Sequence, residues 1–165
     1  MAETLIRPVC PGDAPVLAHI QTESWRAAFS AILTPEELER FTDFGHVLRM
    51  QERLLAEGIG HGLLLTADGA PHCMAFWDKA REDLPGYAEL ICIHSLQTGW
   101  GRGYGSRMME RLLAEMRAAG YESVLLWVFE ENTRARRFYE RHGFADTGRR
   151  KPFGSAVEMM MDRAL

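Results

Sequence analysis

Apolar and polar residues alternate along the chain in patterns that predict seven short strands. The strand-like runs are rich in apolar residues and are bounded by Gly, Pro, Asn or Asp. They cover residues 4–9, 63–66, 73–77, 87–94, 124–129, 144–149 and 156–162. The run 124–129 is continuously apolar, which indicates a strand buried on both faces. The second and third runs meet at Asp68-Gly69, a pair typical of a tight hairpin turn.

Four further segments have the three-to-four-residue apolar spacing of amphipathic helices. They cover residues 13–31, 34–55, 104–119 and 132–142. Asp13 and Asn132 are suitable N-caps, and Thr34 begins the second helix ahead of a proline. The third helix has an apolar stripe at i+4 spacing, formed by Tyr104, Met108, Leu112 and Met116. The order of elements predicts an α/β protein whose mixed sheet is covered by helices on both faces.

The composition is that of one globular domain, which we expect to span residues 1–165. Of the 165 residues, 47% are hydrophobic and 25% are charged, which is enough to bury a core without a disulfide or metal. No apolar run approaches the ~20 residues that cross a bilayer, and Met1-Ala2-Glu3 does not resemble a signal peptide. The three cysteines form no CxxC pair. We therefore expect a reduced, cytoplasmic protein with no membrane partner.

Charge is distributed unevenly between the two halves of the chain. Residues 1–98 contain 7 Lys or Arg and 14 Asp or Glu, whereas residues 99–165 contain 12 and 9. This asymmetry is compatible with a site for ligands of opposite sign, such as a phosphorylated cofactor and a cationic amine, and equally with ordinary surface charge. The net charge is −4 and no basic tail or nucleic-acid motif is present. We therefore expect no nucleic-acid partner.

A glycine-rich loop separates the strand 87–94 from the helix 104–119. Its glycines stand at alternate positions in Gly99-Trp100-Gly101-Arg102-Gly103-Tyr104-Gly105. Backbone N–H groups that converge at a helix N-terminus form an anion site suited to a pyrophosphate, and Arg102 adds a positive charge. The alternative is a flexible connection that needs positive φ. The ending Gly105-Ser106-Arg107 does not match a P-loop, and no G-x-G-x-x-G spacing is met.

A second motif follows the strand 124–129, about thirty residues after the loop. Its positions in the pattern N-x-x-A-x-x-F-Y-x-x-x-G-F are Asn132, Ala135, Phe138, Tyr139, Gly143 and Phe144. Together with Gly103 and Gly105 in a Q/R-x-x-G-x-G/A loop, this motif resembles the GNAT superfamily of acyl-CoA-dependent N-acetyltransferases. Trp100 stands where that loop most often has Gln or Arg. This departure bears on a side-chain contact and leaves the backbone site intact.

The resemblance implies the GNAT fold, a mixed and mostly antiparallel central sheet of about seven strands with about four helices on both faces. It also implies transfer of an acetyl group from acetyl-CoA to a primary amine by direct attack. The acceptor would be a small-molecule amine or a peptide N-terminus. The resemblance leaves the oligomeric state, monomer or homodimer, open. Two alternatives remain: a non-catalytic acyl-CoA-binding or sensor module of the same fold and, more distantly, a nucleotide-dependent oxidoreductase.

Two side chains are candidates for proton transfer. The resemblance places Tyr139 near the CoA sulfur, where its hydroxyl would protonate the leaving thiolate; the alternative is a tyrosine that packs beside Phe138. Glu89 matches a glutamate that often deprotonates the amine in this family. A carboxylate on a mostly apolar strand is unusual, which is compatible with such a role. It equally fits a solvent-facing strand end. His94 is a further candidate base, because the ordinary pKa of histidine is near ~6.5.

The remaining candidates are binding residues. The resemblance implies that acetyl-CoA contacts the strand end and the glycine loop, through Ile93, His94, Ser95, Gly101, Arg102, Gly103, Tyr104, Gly105 and Ser106. Asn132 would bond the pantetheine arm or cap its helix, while Arg134 and Arg137 would reach the phosphates or lie on a solvated face. In the first helix, Glu23, Trp25 and Phe29 are candidates for the acceptor pocket, with core packing as the alternative. No spacing of Cys or His predicts a metal site.

Overall fold

Seven strands form one sheet in a computed structural model that describes residues 2–165. The strands are β1 (Thr4–Pro8), β2 (His61–Ala67), β3 (Ala70–Lys79), β4 (Tyr87–Ser95), β5 (Ser123–Phe129), β6 (Ala145–Phe153) and β7 (Ala156–Ala164). They lie in the order β1-β2-β3-β4-β5-β7-β6. Every neighbouring pair is antiparallel except β4 and β5, which are parallel. All seven predicted strands are present, and Asp68-Gly69 turns β2 into β3 with φ values of 49° and 79°.

Within residues 2–165, five helices cover the sheet, one more than the apolar spacing predicts. They are α1 (Ala14–Phe29), α2 (Pro35–Phe41), α3 (Phe44–Glu57), α4 (Tyr104–Ala118) and α5 (Thr133–Arg141), with short 3-10 turns at Pro11–Asp13 and Gln97–Gly99. The single helix predicted over residues 34–55 is wrong. The backbone of Asp43 is extended, and its carboxylate accepts a hydrogen bond from the His46 N–H at 2.7 Å. Asp43 therefore begins a new helix where the sequence pattern continues the old one.

Each face of the sheet is covered by a different set of helices, because successive strand residues point to opposite sides. On one face, the predicted stripe of α4 is buried together with strand and α5 residues that include Leu65, Val124, Leu126 and Tyr139. On the other face, Leu17 and Ile20 of α1 share a buried cluster with Leu64, Met74 and Phe76. α3 packs beside α1 on this second face.

The sheet opens between β4 and β5. The two strands pair along four residues each, from Tyr87–Leu90 on β4 to Ser123–Leu126 on β5. Directly after this, β4 has a bulge: Trp77 faces Leu90 and Phe76 faces Cys92, which leaves Ile91 without a partner. A bulge bends its strand and increases its twist. β4 and β5 therefore separate, and a wedge opens at their carboxyl ends.

Candidate active site

A cavity of about 860 Å³ occupies this wedge. Its walls come from both faces of the sheet, since the gap between β4 and β5 connects them. Trp25 of α1 and Gln51 of α3 line it from one face, and Ala135 and Tyr139 of α5 line it from the other. Phe153 and Glu158 of the β6–β7 hairpin form a further wall. A linear molecule that enters along the wedge would therefore reach groups on both sides of the sheet.

One wall is the end of β4, where Ile93, His94 and Ser95 line the cavity. These residues pair with β3 on one edge, but their other edge lies beyond the last β4–β5 pair. Backbone N–H and C=O groups on such an edge are available to an extended ligand that adds itself as a strand. The three residues predicted to contact the pantetheine arm are therefore brought to the cavity.

The glycine loop lies between β4 and α4. Gly101 and Gly103 have φ values of 75° and 81°, and a Cβ at either position would meet no atom within 4 Å. The first N–H groups of α4 have no acceptor within the helix, and they lie at the positive end of its dipole. An open surface of backbone with unpaired N–H groups fits the pyrophosphate of acetyl-CoA.

The side chains around this loop have structural partners. Tyr104 is buried and its ring lies 5.1 Å from that of His72, so it offers its backbone alone to the loop surface. Ser106 Oγ lies 3.1 Å from His142 Nε2. A Cβ on Gly105 would approach the Phe138 ring at 3.3 Å, so this glycine allows α4 and α5 to pack closely. Arg102 is exposed.

Trp100, the departure from the family pattern, connects three elements. Its indole N–H donates to the Ser95 carbonyl at 3.1 Å, and the Arg134 guanidinium lies 3.5 Å from the centre of its ring. Partial burial lowers the pKa of Arg134. The tryptophan therefore holds the Arg134 cation, which lines the cavity, close to the end of β4.

The start of α5 contributes a cap and a buried tyrosine. The Asn132 side chain accepts a hydrogen bond from the Ala135 N–H at 3.2 Å, and Asn132 also lines the cavity. Tyr139 is buried and lines the cavity, yet its hydroxyl makes no hydrogen bond to any of residues 2–165. Burial raises the pKa of Tyr139, so its hydroxyl keeps its proton at neutral pH. Arg137 is exposed and lies outside the cavity walls.

Glu89 is buried but does not line the cavity. One carboxylate oxygen accepts hydrogen bonds from Arg81 Nη2 at 2.6 Å and Nε at 3.1 Å, and the other accepts the Arg81 backbone N–H at 3.0 Å. This pair fixes the segment between β3 and β4 against the sheet. A carboxylate held by three hydrogen bonds is a poor partner for a further group unless the pair opens.

His94 lines the cavity in a neutral form. Trp25 Nε1 donates to His94 Nε2 at 3.3 Å, which requires an unprotonated nitrogen at that position. Burial lowers the pKa of His94 to about 4. At neutral pH the imidazole therefore carries no charge.

Part of the cavity wall is aromatic. Rings of Trp25, Phe29, Phe129 and Phe153 lie within contact of one another, with centroid separations between 4.9 and 6.3 Å. All four line the cavity. Glu23, the third predicted acceptor residue, is exposed, pairs with Arg26 at 2.7 Å and lies outside the walls.

Gln51 and Glu158 are two of the polar cavity residues that the sequence pattern did not indicate. Gln51 is buried on α3 and donates through Nε2 to Gln21 Oε1 at 2.9 Å, while its own carbonyl oxygen has no partner in the described chain. Glu158 lies on β7, opposite Phe129. A signal for Glu158 was available, since it stands in an otherwise apolar run like the one that drew attention to Glu89.

Residues 2–165 contain no group of three His, Cys, Asp or Glu side chains arranged to hold a metal ion. Within the same range, no helix is both long enough and apolar enough to span a bilayer.

A mixed sheet opened between two parallel strands, with a helix that begins after a glycine loop, is the architecture that the resemblance to the GNAT superfamily predicts. Residues 17–144 match the model of the Acetyltransferase (GNAT) family, and the chain belongs to that family. A curated relative, mycothiol acetyltransferase from Mycobacteroides abscessus, is 38% identical over 69 residues. That match covers 42% of this chain and 23% of the relative, so the chain corresponds to about a quarter of that protein.

Solved structures share the whole fold. A GCN5-related N-acetyltransferase from Rhodopseudomonas palustris superimposes with a TM-score of 0.82 at 19% identity, covering 100% of this chain and 98% of that one. The PaiA N-acetyltransferase from Thermoplasma acidophilum, in complex with coenzyme A, gives 0.77 at 18% identity over 99% of both chains. An acetyltransferase from Thermus thermophilus gives 0.74 at 21%, covering 98% and 97%. The predicted GNAT fold is confirmed.

Proposed function

We propose that this chain transfers an acetyl group from acetyl-CoA to a primary amine, a small molecule or a peptide N-terminus, by direct attack. The observation that carries the proposal is the cavity in the β4–β5 wedge, which is lined by the end of β4 and by an aromatic wall. The glycine loop follows that end of β4 in the chain and is tied to it by the Trp100–Ser95 hydrogen bond. Membership of the GNAT family supports it, as does the coenzyme A complex of the PaiA structure.

Acetyl-CoA would supply the activated thioester, and the chain would supply its binding surface. The N–H groups of Tyr104, Gly105 and Ser106 would hold the pyrophosphate, since they begin α4 beside two glycines with open surface. Arg102 and Arg134 would add charge, with Arg137 further along α5. The backbone of Ile93–Ser95 would pair with the pantetheine arm, and Asn132 would add a side-chain contact.

Tyr139 would act as the general acid. Tyr139 is a buried residue of the cavity wall, and its hydroxyl has no hydrogen-bond partner among residues 2–165. The hydroxyl stays protonated at neutral pH because burial raises its pKa. It can therefore donate a hydrogen bond to the departing sulfur and deliver a proton as negative charge develops there.

The amine must lose a proton before it attacks, since a free alkylammonium has a pKa near ~10. Glu89 can serve only after its ion pair with Arg81 opens. His94 has a pKa of about 4 and is a weak base at neutral pH. Glu89 and His94 remain proposed bases, and the cavity wall holds a third candidate, the carboxylate of Glu158.

A direct test combines binding with turnover. Acetyl-CoA binding is measured by calorimetry, and free thiol release is measured with a panel of primary amines. We expect binding and amine-dependent thiol release. Binding without release by any amine would favour a non-catalytic acyl-CoA-binding module instead.

The loop assignment is tested with Gly103→Asp, which introduces a side chain and a negative charge where the pyrophosphate would lie. We expect acetyl-CoA affinity to fall at least about tenfold, which is ~1.4 kcal/mol. Gly120→Asp is the matched control, because Gly120 also has positive φ and open space but lies at the other end of α4. Equal binding by both variants would overturn the assignment.

A further inference from the structure

Glu158 is a half-buried carboxylate that lines the cavity and pairs loosely with Lys151. Its side chain is 16% exposed and lines the cavity wall. It forms an ion pair with Lys151, whose Nζ lies 3.7 Å from Oε2, a separation longer than that of a normal hydrogen bond. That ammonium lies 4.1 Å from the centre of the Trp127 ring. A half-buried carboxylate with one long ion pair keeps acceptor capacity, and a donor that enters the cavity can use it.

The comparison with Glu89 makes the difference clear. Both carboxylates lie on the face of the sheet that carries α1, but Glu89 accepts three hydrogen bonds from Arg81 and is absent from the cavity wall. Glu158 is present in that wall, and its ion pair with Lys151 is the longer contact, at 3.7 Å. A cation that enters the cavity therefore meets Glu158 as the carboxylate with the weaker partner inside the protein.

The surroundings of Glu158 indicate what this cation carries. Glu158 pairs across the sheet with Phe129, and directly paired residues share a face. Phe129 belongs to the aromatic wall with Trp25, Phe29 and Phe153. A charged amine beside Glu158 would thus place its attached group against these rings, where an apolar or aromatic body is favoured.

We propose that Glu158 binds the ammonium group of the acceptor and takes its proton, and that the acceptor is a primary alkylamine with an aromatic or apolar body. This inference rests on the proposed function, since it names the substrate class and the base of that same site.

The proton balance is complete without another reactant. Glu158 takes the first proton from the ammonium, and the neutral nitrogen forms a C–N bond with the thioester carbon as the C–S bond breaks. The sulfur takes a proton from Tyr139. The nitrogen, acidic once it is acylated, loses a second proton that restores Tyr139, and Glu158 returns its own proton to solvent. The products are an amide, a thiol and one released proton.

Charged groups on three sides set the basicity of Glu158. Burial raises its pKa and Glu89 on β4 acts in the same direction, whereas Lys151 on β6 and Arg81 after β3 lower it. The balance raises the pKa, which brings the carboxylate nearer to the value that suits a base at neutral pH.

Two isomeric amines separate the role of Glu158 from simple packing. 2-Phenylethylamine is an alkylammonium at pH 7, whereas 4-ethylaniline is already neutral, and each has the same atoms and one ring. In Glu158→Gln we expect kcat/KM for 2-phenylethylamine to fall about 10²-fold at pH 7. The rate with 4-ethylaniline should change less than about threefold, because no proton must be removed before attack. Raising the pH from 7 to 9.5 should shrink the deficit with 2-phenylethylamine, since solvent then deprotonates the amine.

Two comparison variants complete the design. Glu89→Gln should lower the melting temperature and affect both amines alike, since its partner is Arg81. Glu57→Gln, in an exposed ion pair with Arg53, should match the parent in both assays.

An equal loss with both amines, or a deficit that does not change with pH, would overturn the role of Glu158 as base. Acetylation of other amines but neither of these two would overturn the substrate class. Failure of the proposed function looks different: acetyl-CoA would not bind, or no amine would release thiol in the parent protein.

Discussion

Tyr139 and His94 are buried titratable side chains in one cavity, and burial shifts their pKa values in opposite directions. It raises the pKa of the phenol and lowers that of the imidazole, because in each case the charged form is disfavoured. Both groups are therefore neutral at pH 7. The site accordingly keeps a proton on Tyr139 and an uncharged acceptor nitrogen on His94.

Removing the Tyr139 hydroxyl separates its chemistry from its packing. Tyr139→Phe keeps the ring against Phe138 and Phe144 and breaks no hydrogen bond within the described chain, so the melting temperature should change little. If the hydroxyl protonates the thiolate, kcat should fall about 10²-fold while the KM for acetyl-CoA stays nearly constant. Steady-state kinetics measure both values. Tyr121→Phe, away from the cavity, is the control, and full activity of Tyr139→Phe would show a purely structural tyrosine.

His94 makes the stability of the protein sensitive to acid. Its folded pKa of about 4 lies below the ordinary 6.5, so between these values the unfolded chain binds the proton and the folded chain does not. This contribution to stability is complete above pH 6.5 and is lost as the pH falls toward 4.

The loss from His94 at pH 5 should be about 2 kcal/mol, or roughly 4–8 °C in melting temperature. Melting curves at pH 7.5 and 5 should show a smaller acid shift in His94→Gln, which keeps an acceptor for Trp25. The exposed His46→Gln should retain the parent shift. If the parent and His94→Gln lose stability equally between these pH values, His94 is protonated in the folded protein.

At the scale of elements, the break between α2 and α3 decides which residues reach the cavity. α2 ends where the Thr42 N–H bonds to the Leu38 carbonyl, and α3 begins at its own cap. α3 can therefore follow a different direction from α2 and pack against α1. This packing brings Met50, Gln51 and Leu54 to the cavity wall.

The Asp43 cap stabilises this arrangement in a way that can be measured. Asp43→Ala removes the acceptor for the His46 N–H and should lower the free energy of unfolding by about 1 kcal/mol, or roughly 2–4 °C. Asp43→Asn retains a capping oxygen and should lie close to the parent. Thermal and urea unfolding check both values. If the alanine variant is as stable as the parent, the cap makes no net contribution.

At the scale of the whole molecule, the sequence predicts the strands well because each is a local pattern. The alternation of apolar residues and the turn residues between runs define all seven strands within a few positions. The predicted 34–55 helix fails for an equally local reason. Apolar spacing continues across Thr42 and Asp43, and the competing capping propensity of Asp43 is the weaker signal.

The candidate site is less accessible to sequence reasoning, because its contacts join distant segments. Glu89 and Glu158 both stand in apolar runs. The sequence does not show that Arg81 donates hydrogen bonds to Glu89 and none to Glu158. The role of Glu158 depends on its register with Phe129, and that of Trp100 depends on Arg134 and Ser95. The loop and the α5 motif were predictable, since both are contiguous in sequence.

The short β4–β5 pairing has a mechanical consequence. β3 pairs with β4 through seven residue pairs and β5 with β7 through seven, whereas β4 and β5 share four. The sheet thus consists of two parts, β1–β4 and β5 to β7, that are joined by the short β4–β5 pairing. The acidic half of the chain and the basic half divide close to this pairing. A ligand that pairs with strands on both sides of the wedge adds hydrogen bonds between the two parts of the sheet. Its binding energy therefore also stabilises their association.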